Sequence, residues 1–141
     1  FSTATRSVDG LTMEVTAPSM TQLTWTGTAT EASIRAMRDF GAEARQEFGP
    51  DAVLLGLVDA RAATGFDRGA RTQMSELGRD KPWDRMAFVG VRFEVKVLIE
   101  LVLRALELLK VEVAEVAFVD TIDEAEAWLL RSQPEMQTSA A

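Results

Sequence analysis

The sequence predicts an α/β domain: a mixed, mostly parallel sheet with an N-terminal antiparallel hairpin and covering helices. Three observations carry that expectation. Arg85–Val91 and Glu115–Val119 are short apolar runs of strand length. Phe93–Leu109, between them, is an apolar stretch of helix length, so it reads as the crossover of a parallel strand pair. Near the start, Leu11–Val15 and Leu23–Thr26 alternate apolar and polar residues on either side of Ala17-Pro18-Ser19. That is the pattern of a hairpin with one covered face.

The other elements follow in order. Residues 1–10 are small and polar and are expected to be flexible. Gly27 ends the hairpin, and Thr28 with Glu31, or Thr30 itself, offers the N-cap of the first helix. Ile34, Met37, Ala44 and Phe48 share one face at helical spacing, and Gly49-Pro50 stops the helix. Ala52–Val58 is a nearly continuous apolar run closed by Asp59, which fits a central strand buried on both faces. Residues 60–66 read as a loop of small residues. A second helix is expected over 67–77, with Met74 and Leu77 inward and Gly78 as its C-cap. Thr121 and Glu124 form a capping pair for the last helix, which turns Ile122, Ala125 and Leu129 inward beside Trp128. The order is β-β-α-β-α-β-α-β-α, a single domain over 11–131 with a flexible tail over 132–141.

The third helix is unusually apolar. Five charged residues, Lys96, Glu100, Arg104, Glu107 and Lys110, occupy an arc of only about 120° at about 100° per residue. A helix on one sheet face needs an apolar stripe of about 100° or slightly more. The leading explanation is deep burial between the sheet and two flanking helices. A homodimer surface or an apolar ligand cavity under the helix are the alternatives.

Composition removes many chemistries. The chain has 141 residues with no Cys, no His and no Tyr. Thiol nucleophiles, disulfides, Cys/His zinc sites, Ser-His-Asp triads and imidazole proton shuttles are therefore excluded. The net charge of −7 repels nucleic-acid phosphate and anionic membrane, so no nucleic-acid partner is expected. No uncharged run reaches the roughly 18 residues of a membrane span, and the start has no apolar signal core. The lack of Cys suits the cytoplasm. No Gly-x-Gly-x-x-Gly or Gly-Lys-Ser/Thr phosphate loop occurs.

The opening hairpin, the strand Val53–Asp59 with the helix after it, and the ending Phe118-Val-Asp-Thr-Ile-Asp-Glu-Ala-Glu-Ala-Trp-Leu129 together resemble the STAS/SpoIIAA-like group. The nearest likeness is to its branch related to lipid-binding CRAL-TRIO (Sec14-like) domains. The resemblance covers roughly residues 10–131. It implies a four- or five-stranded sheet covered by helices, and a binding or regulatory role without catalysis. In sporulation-type members a phosphorylatable Ser lies in Asp-Ser-Ser-Gly at the start of the helix after the central strand. This chain has Ala60-Arg-Ala-Ala-Thr-Gly65 there, and only Thr64-Gly65 is similar to the Ser-Gly pair.

Three constellations are candidates for chemistry. Segment 61–85 holds six basic against four acidic residues, whereas the rest holds nine against eighteen. Within it Arg68 and Arg71 lie one turn apart, and guanidinium pairs suit phosphate or carboxylate. Asp59 and Asp120 end two parallel strands, where ligands of open α/β sheets favour binding. They could hold Mg²⁺ in a phosphoryl enzyme, but each is read first as a cap, and no metal site or cofactor is expected. Trp25, Trp83 and Trp128 are read as core or rim packing. The leading expectation is a non-enzymatic domain that binds a protein partner or a lipid-like, anion-headed apolar ligand. Arg68 and Arg71 would make the polar contacts, and Val97, Leu98, Leu101 and Leu108 would supply an apolar surface, with a homodimer as one use of it. The alternatives are a STAS-type switch phosphorylated at Thr64 and the carboxylate–Mg enzyme.

Overall fold

The computed structural model describes residues 5–130, so the expected tail over 132–141 lies outside the described residues. Six strands form one sheet in the order β1-β2-β3-β4-β5-β6. These are β1 (Arg6–Val8), β2 (Leu11–Ala17), β3 (Met20–Ala29), β4 (Leu55–Phe66), β5 (Arg85–Val89) and β6 (Glu115–Val119). The first three are antiparallel neighbours, and β3 through β6 run parallel. The helices are α1 (Glu31–Phe48), α2 (Arg68–Asp80), α3 (Phe93–Leu108) and α4, over 122–130. The mixed, mostly parallel sheet with its N-terminal hairpin agrees with the sequence expectation.

Period-two alternation sorts the strands between two faces. Leu11, Met13, Leu23, Trp25, Val58, Met86 and Phe88 join Ile34, Phe40, Leu77, Val95 and Ile99 under α1, α2 and α3. Leu55, Leu57, Ala87 and Val89 meet Ala125 and Leu129 of α4 on the other face. The central strand β4 is therefore buried from both sides, as its continuous apolar run requires.

One buried polar chain locks the first layer. Trp83 is 1% exposed. Its indole Nε1 donates to Thr21 Oγ1 at 2.9 Å, and that hydroxyl donates to the Leu55 carbonyl at 3.2 Å. A Cβ on Gly41 would stand 2.9 Å from the Trp83 ring, so α1 can close on it only with glycine there. Beside it, Asp84 Oδ2 accepts from Arg45 Nη2 and from the Leu54 amide, both at 2.8 Å.

Several expectations need correction. Residues 60–66 are not a loop: they extend β4 along Thr26–Ala29 of β3, past the end of β5, through register shifts. Gly27 does not end β3 but sits inside it with φ +75°. Arg6–Val8 forms an edge strand where no strand was expected. Of the two possible caps for α1, Thr30 is the one used, in a capping box with Ser33. Helix α2 runs on to Asp80 and is capped by Lys81 in the left-handed region, not by Gly78. Gly78 instead admits Leu106 of α3, whose Cδ1 would lie 2.4 Å from a Cβ there. Helix α3 is the expected crossover, but it is not deeply buried. Only Val95, Ile99 and Leu106 of its residues are buried.

Candidate functional site

The carboxyl ends of the parallel strands carry an ion pair, not an open carboxylate site. Asp59 ends the part of β4 that pairs with β5. The Arg61 guanidinium donates from Nε to Asp59 Oδ1 at 2.9 Å and from Nη2 to Oδ2 at 2.7 Å. Arg61 also lies across Gly90, where a Cβ would come within 2.5 Å of its Cγ. Both Asp59 oxygens are thus engaged. Asp120 is exposed just before Thr121, whose Oγ1 accepts from the Glu124 amide at 3.1 Å and caps α4. Among the described residues no three acidic side chains group to hold a metal ion. The pair Asp59 and Asp120 is therefore a poor Mg²⁺ site.

The hydrogen bond from Arg61 holds the Asp59 carboxyl below its ordinary range, against the opposing effect of burial. The sign of the linkage follows. A carboxylate with a depressed folded pKa adds stability that is complete above its unfolded pKa, about 3.9, and disappears as the pH falls through the folded value. Asp59→Asn is therefore expected to flatten the acid limb of stability below about pH 4. Urea midpoints measured across that range check this, and an acid limb identical to that of the wild type would contradict it.

Thr64 sits in the β4 extension, exposed, with its hydroxyl 3.2 Å from Thr28 Oγ1. It precedes the N-terminus of α2 and does not lie on it. The N-cap there is Asp67, whose Oδ1 accepts from the Ala70 amide at 2.8 Å. A carboxylate already occupies the helix end that the resemblance associates with a phosphorylatable Ser.

Arg68 and Arg71 fall on the first turn of α2, and both are exposed. At about 100° per residue Thr72, Ser75 and Arg79 complete the same face. Arg6, Arg35, Arg38, Arg45, Arg61 and Arg85 are each paired with a carboxylate. Arg68, Arg71 and Arg79 have no such partner among the described residues. Three unneutralised guanidinium groups on one helix face oppose the negative charge of the whole chain. Arg79 was missed because the helix was expected to stop at residue 77. Arg92, exposed at the N-cap of α3, is a further cation without a carboxylate partner among the described residues.

The four apolar candidates divide. Val97, Leu101 and Leu108 are 37%, 57% and 80% exposed, whereas Leu98 is half-buried against the core. Phe93, 74% exposed, extends the outward stripe by another turn and was not anticipated. Along α3 one i,i+4 ion pair forms among the described residues, Lys96–Glu100, at 3.9 Å. No pair joins Glu100 to Arg104 among the described residues.

The apolar space under α3 is small. A cavity of ≈ 70 Å³ lies among α2, α3, β5 and β6, lined by Met74, Leu77, Trp83, Met86, Phe88 and Ile99 among others. Ligand pockets commonly measure about 300 Å³ or more. Trp83 is a core residue, and Trp25 packs on Phe66 with ring centroids 4.8 Å apart. Trp128, on α4, packs against the second core layer with the Arg85 guanidinium 5.7 Å from its ring centre. The three tryptophans sit in separate places and line no common pocket.

No protein-family model matches the chain, and no curated protein sequence matches it. Solved structures do. One is an uncharacterized protein of the DUF3478 family from Shewanella loihica PV-4, described as having a SpoIIAA-like fold. It is 15% identical, with a TM-score of 0.55 over 89% of this chain and 90% of that one. Another is the anti-sigma factor antagonist SpoIIAA in its unphosphorylated form. It is 10% identical, with a TM-score of 0.58 over 86% of this chain and 97% of that one. Sheet order, hairpin and covering helices together give this chain a SpoIIAA-like fold.

Proposed function

We propose that this chain is a non-enzymatic regulatory binding domain that docks an acidic segment of a protein partner on the outer face of α2. The carrying observation is the set Arg68, Arg71 and Arg79, exposed on one face and unpaired among the described residues. Guanidinium forks hold carboxylates by paired, charge-assisted hydrogen bonds. The fold supports a regulatory reading, since it is shared with an anti-sigma factor antagonist. The neutralised Asp59 supports a role in contact over one in catalysis. The small cavity under α3 favours a surface partner over an enclosed acyl chain.

The test uses a fluorescein-labelled peptide of eight glutamates as the probe. Fluorescence anisotropy is expected to show saturable, salt-sensitive binding. The double variant Arg68→Glu/Arg71→Glu should weaken it about tenfold or more, because each like-charge contact costs on the order of a kcal/mol. Sedimentation with phosphatidylglycerol vesicles forms the second arm. Equal peptide binding by the double variant, or binding to vesicles in place of the peptide, sinks the proposal.

A further inference from the structure

Helix α3 presents an outward apolar stripe that nothing within the described residues covers. Phe93, Val97, Leu101 and Leu108 recur at four- and seven-residue steps and are 74%, 37%, 57% and 80% exposed. On the same outward side lie Glu94, Arg104 and Ala105, all exposed. Neither Glu94 nor Arg104 has an ion-pair partner among the described residues.

These residues have an internal symmetry. Val97 and Leu101 lie equally far on either side of position 99. So do Glu94 and Arg104, and so do Phe93 and Ala105. In an antiparallel pair of identical helices related by a two-fold axis, residues equidistant from the axis oppose each other across the interface. An axis at the level of Ile99 therefore sets Val97 against the partner copy's Leu101. It brings Phe93 level with the small Ala105, on opposite flanks of the stripe. It brings Glu94 level with Arg104 of the second copy, twice over, so the two charges left unpaired within one chain find opposite charges in the other. Leu108 then reaches past the partner helix's N-terminus, beside its Phe93. The Glu94–Arg104 spacing of ten residues spans about 15 Å along the helix, so both pairs fit within the 16-residue length of α3.

We infer that a second copy of this chain covers the apolar stripe, forming a two-fold antiparallel α3–α3 dimer centred on Ile99. The arginine face of α2 is a separate surface, and this inference stands or falls independently of it. A random apolar patch gives no reason for opposite unpaired charges to sit symmetrically about the same point as the apolar pairs. Self-recognition gives one, since the same patch must serve as both halves of the interface.

The experiment is sedimentation equilibrium on the full chain over a concentration series, with four variants whose altered side chains are all solvent-exposed. The wild type is expected to be a reversible dimer. Leu101→Glu should raise the dissociation constant about 30-fold or more, as expected for a central interface anchor. Glu94→Arg and Arg104→Glu should each weaken association, by about tenfold, by setting like charges against one another. The double swap Glu94→Arg/Arg104→Glu should restore it, because the charges are complementary again. Thermal unfolding of each variant confirms that the fold is kept. A wild type that stays monomeric overturns the inference, whether the stripe then proves to bind vesicles, another protein or residues 131–141. A dimer indifferent to Leu101→Glu, or a double swap that fails to recover, overturns it as well.

Discussion

Trp83→Ala is expected to destabilise the domain by about 3–5 kcal/mol, a large share of the stability of a domain this size. The side chain is 1% exposed, stacks toward Phe40 with ring centroids 6.5 Å apart, and lies against Gly41 and Gly56. Truncation removes all of these contacts and leaves a cavity that α1 cannot fill without moving. It also removes the indole donor that Thr21 accepts from at 2.9 Å. Trp83→Phe is the milder change. It keeps one aromatic ring but loses the N–H and the rest of the indole, so its cost should be smaller than that of alanine, about 1–3 kcal/mol. Urea denaturation followed by circular dichroism measures both. A loss below about 1 kcal/mol for the alanine variant would contradict the packing described for the first layer.

Asp84→Ala should cost roughly 2–3 kcal/mol although its side chain is 35% exposed. Its carboxylate does two jobs through one oxygen. It accepts from the amide of Leu54, a residue with no exposed surface, and it anchors Arg45. Arg45 in turn donates to the carbonyls of Ala52 and Pro82. Removing the carboxylate leaves a buried N–H without an acceptor and a half-buried guanidinium without its counter-charge. Asp84→Asn should recover part of the loss, because its amide oxygen can still accept from Leu54. Equal losses for alanine and asparagine would mean that the Leu54 hydrogen bond contributes nothing.

The order of elements was legible because periodicity and caps are local. The alternation at Leu11–Val15, the continuous run into Val58 and the Thr121–Glu124 pair each announce one element. What failed was set by partners distant in sequence. Ala60–Gly65 is rich in alanine and glycine, which strands usually avoid. It becomes strand only because β3 continues to Ala29 beside it. Gly78 carries the usual mark of a helix end, yet here it makes room for Leu106 of another helix. That misplaced end also concealed Arg79, which stands three turns after Arg68 on the same face. The excess of apolar residues on α3 was visible, but a helical wheel shows which residues share a face and not what covers that face. Arg68 and Arg71 could be picked out by spacing. That they lack carboxylate partners could be seen only once every other arginine pair was in place.

The proposed docking face for an acidic partner is the outer face of α2. Backbone amide chemical shifts recorded during titration with the eight-glutamate peptide test it residue by residue. Saturable shifts are expected, concentrated on the amides of Arg68, Arg71, Thr72, Ser75 and Arg79. Shifts centred on another element, or none at saturating peptide, would contradict it.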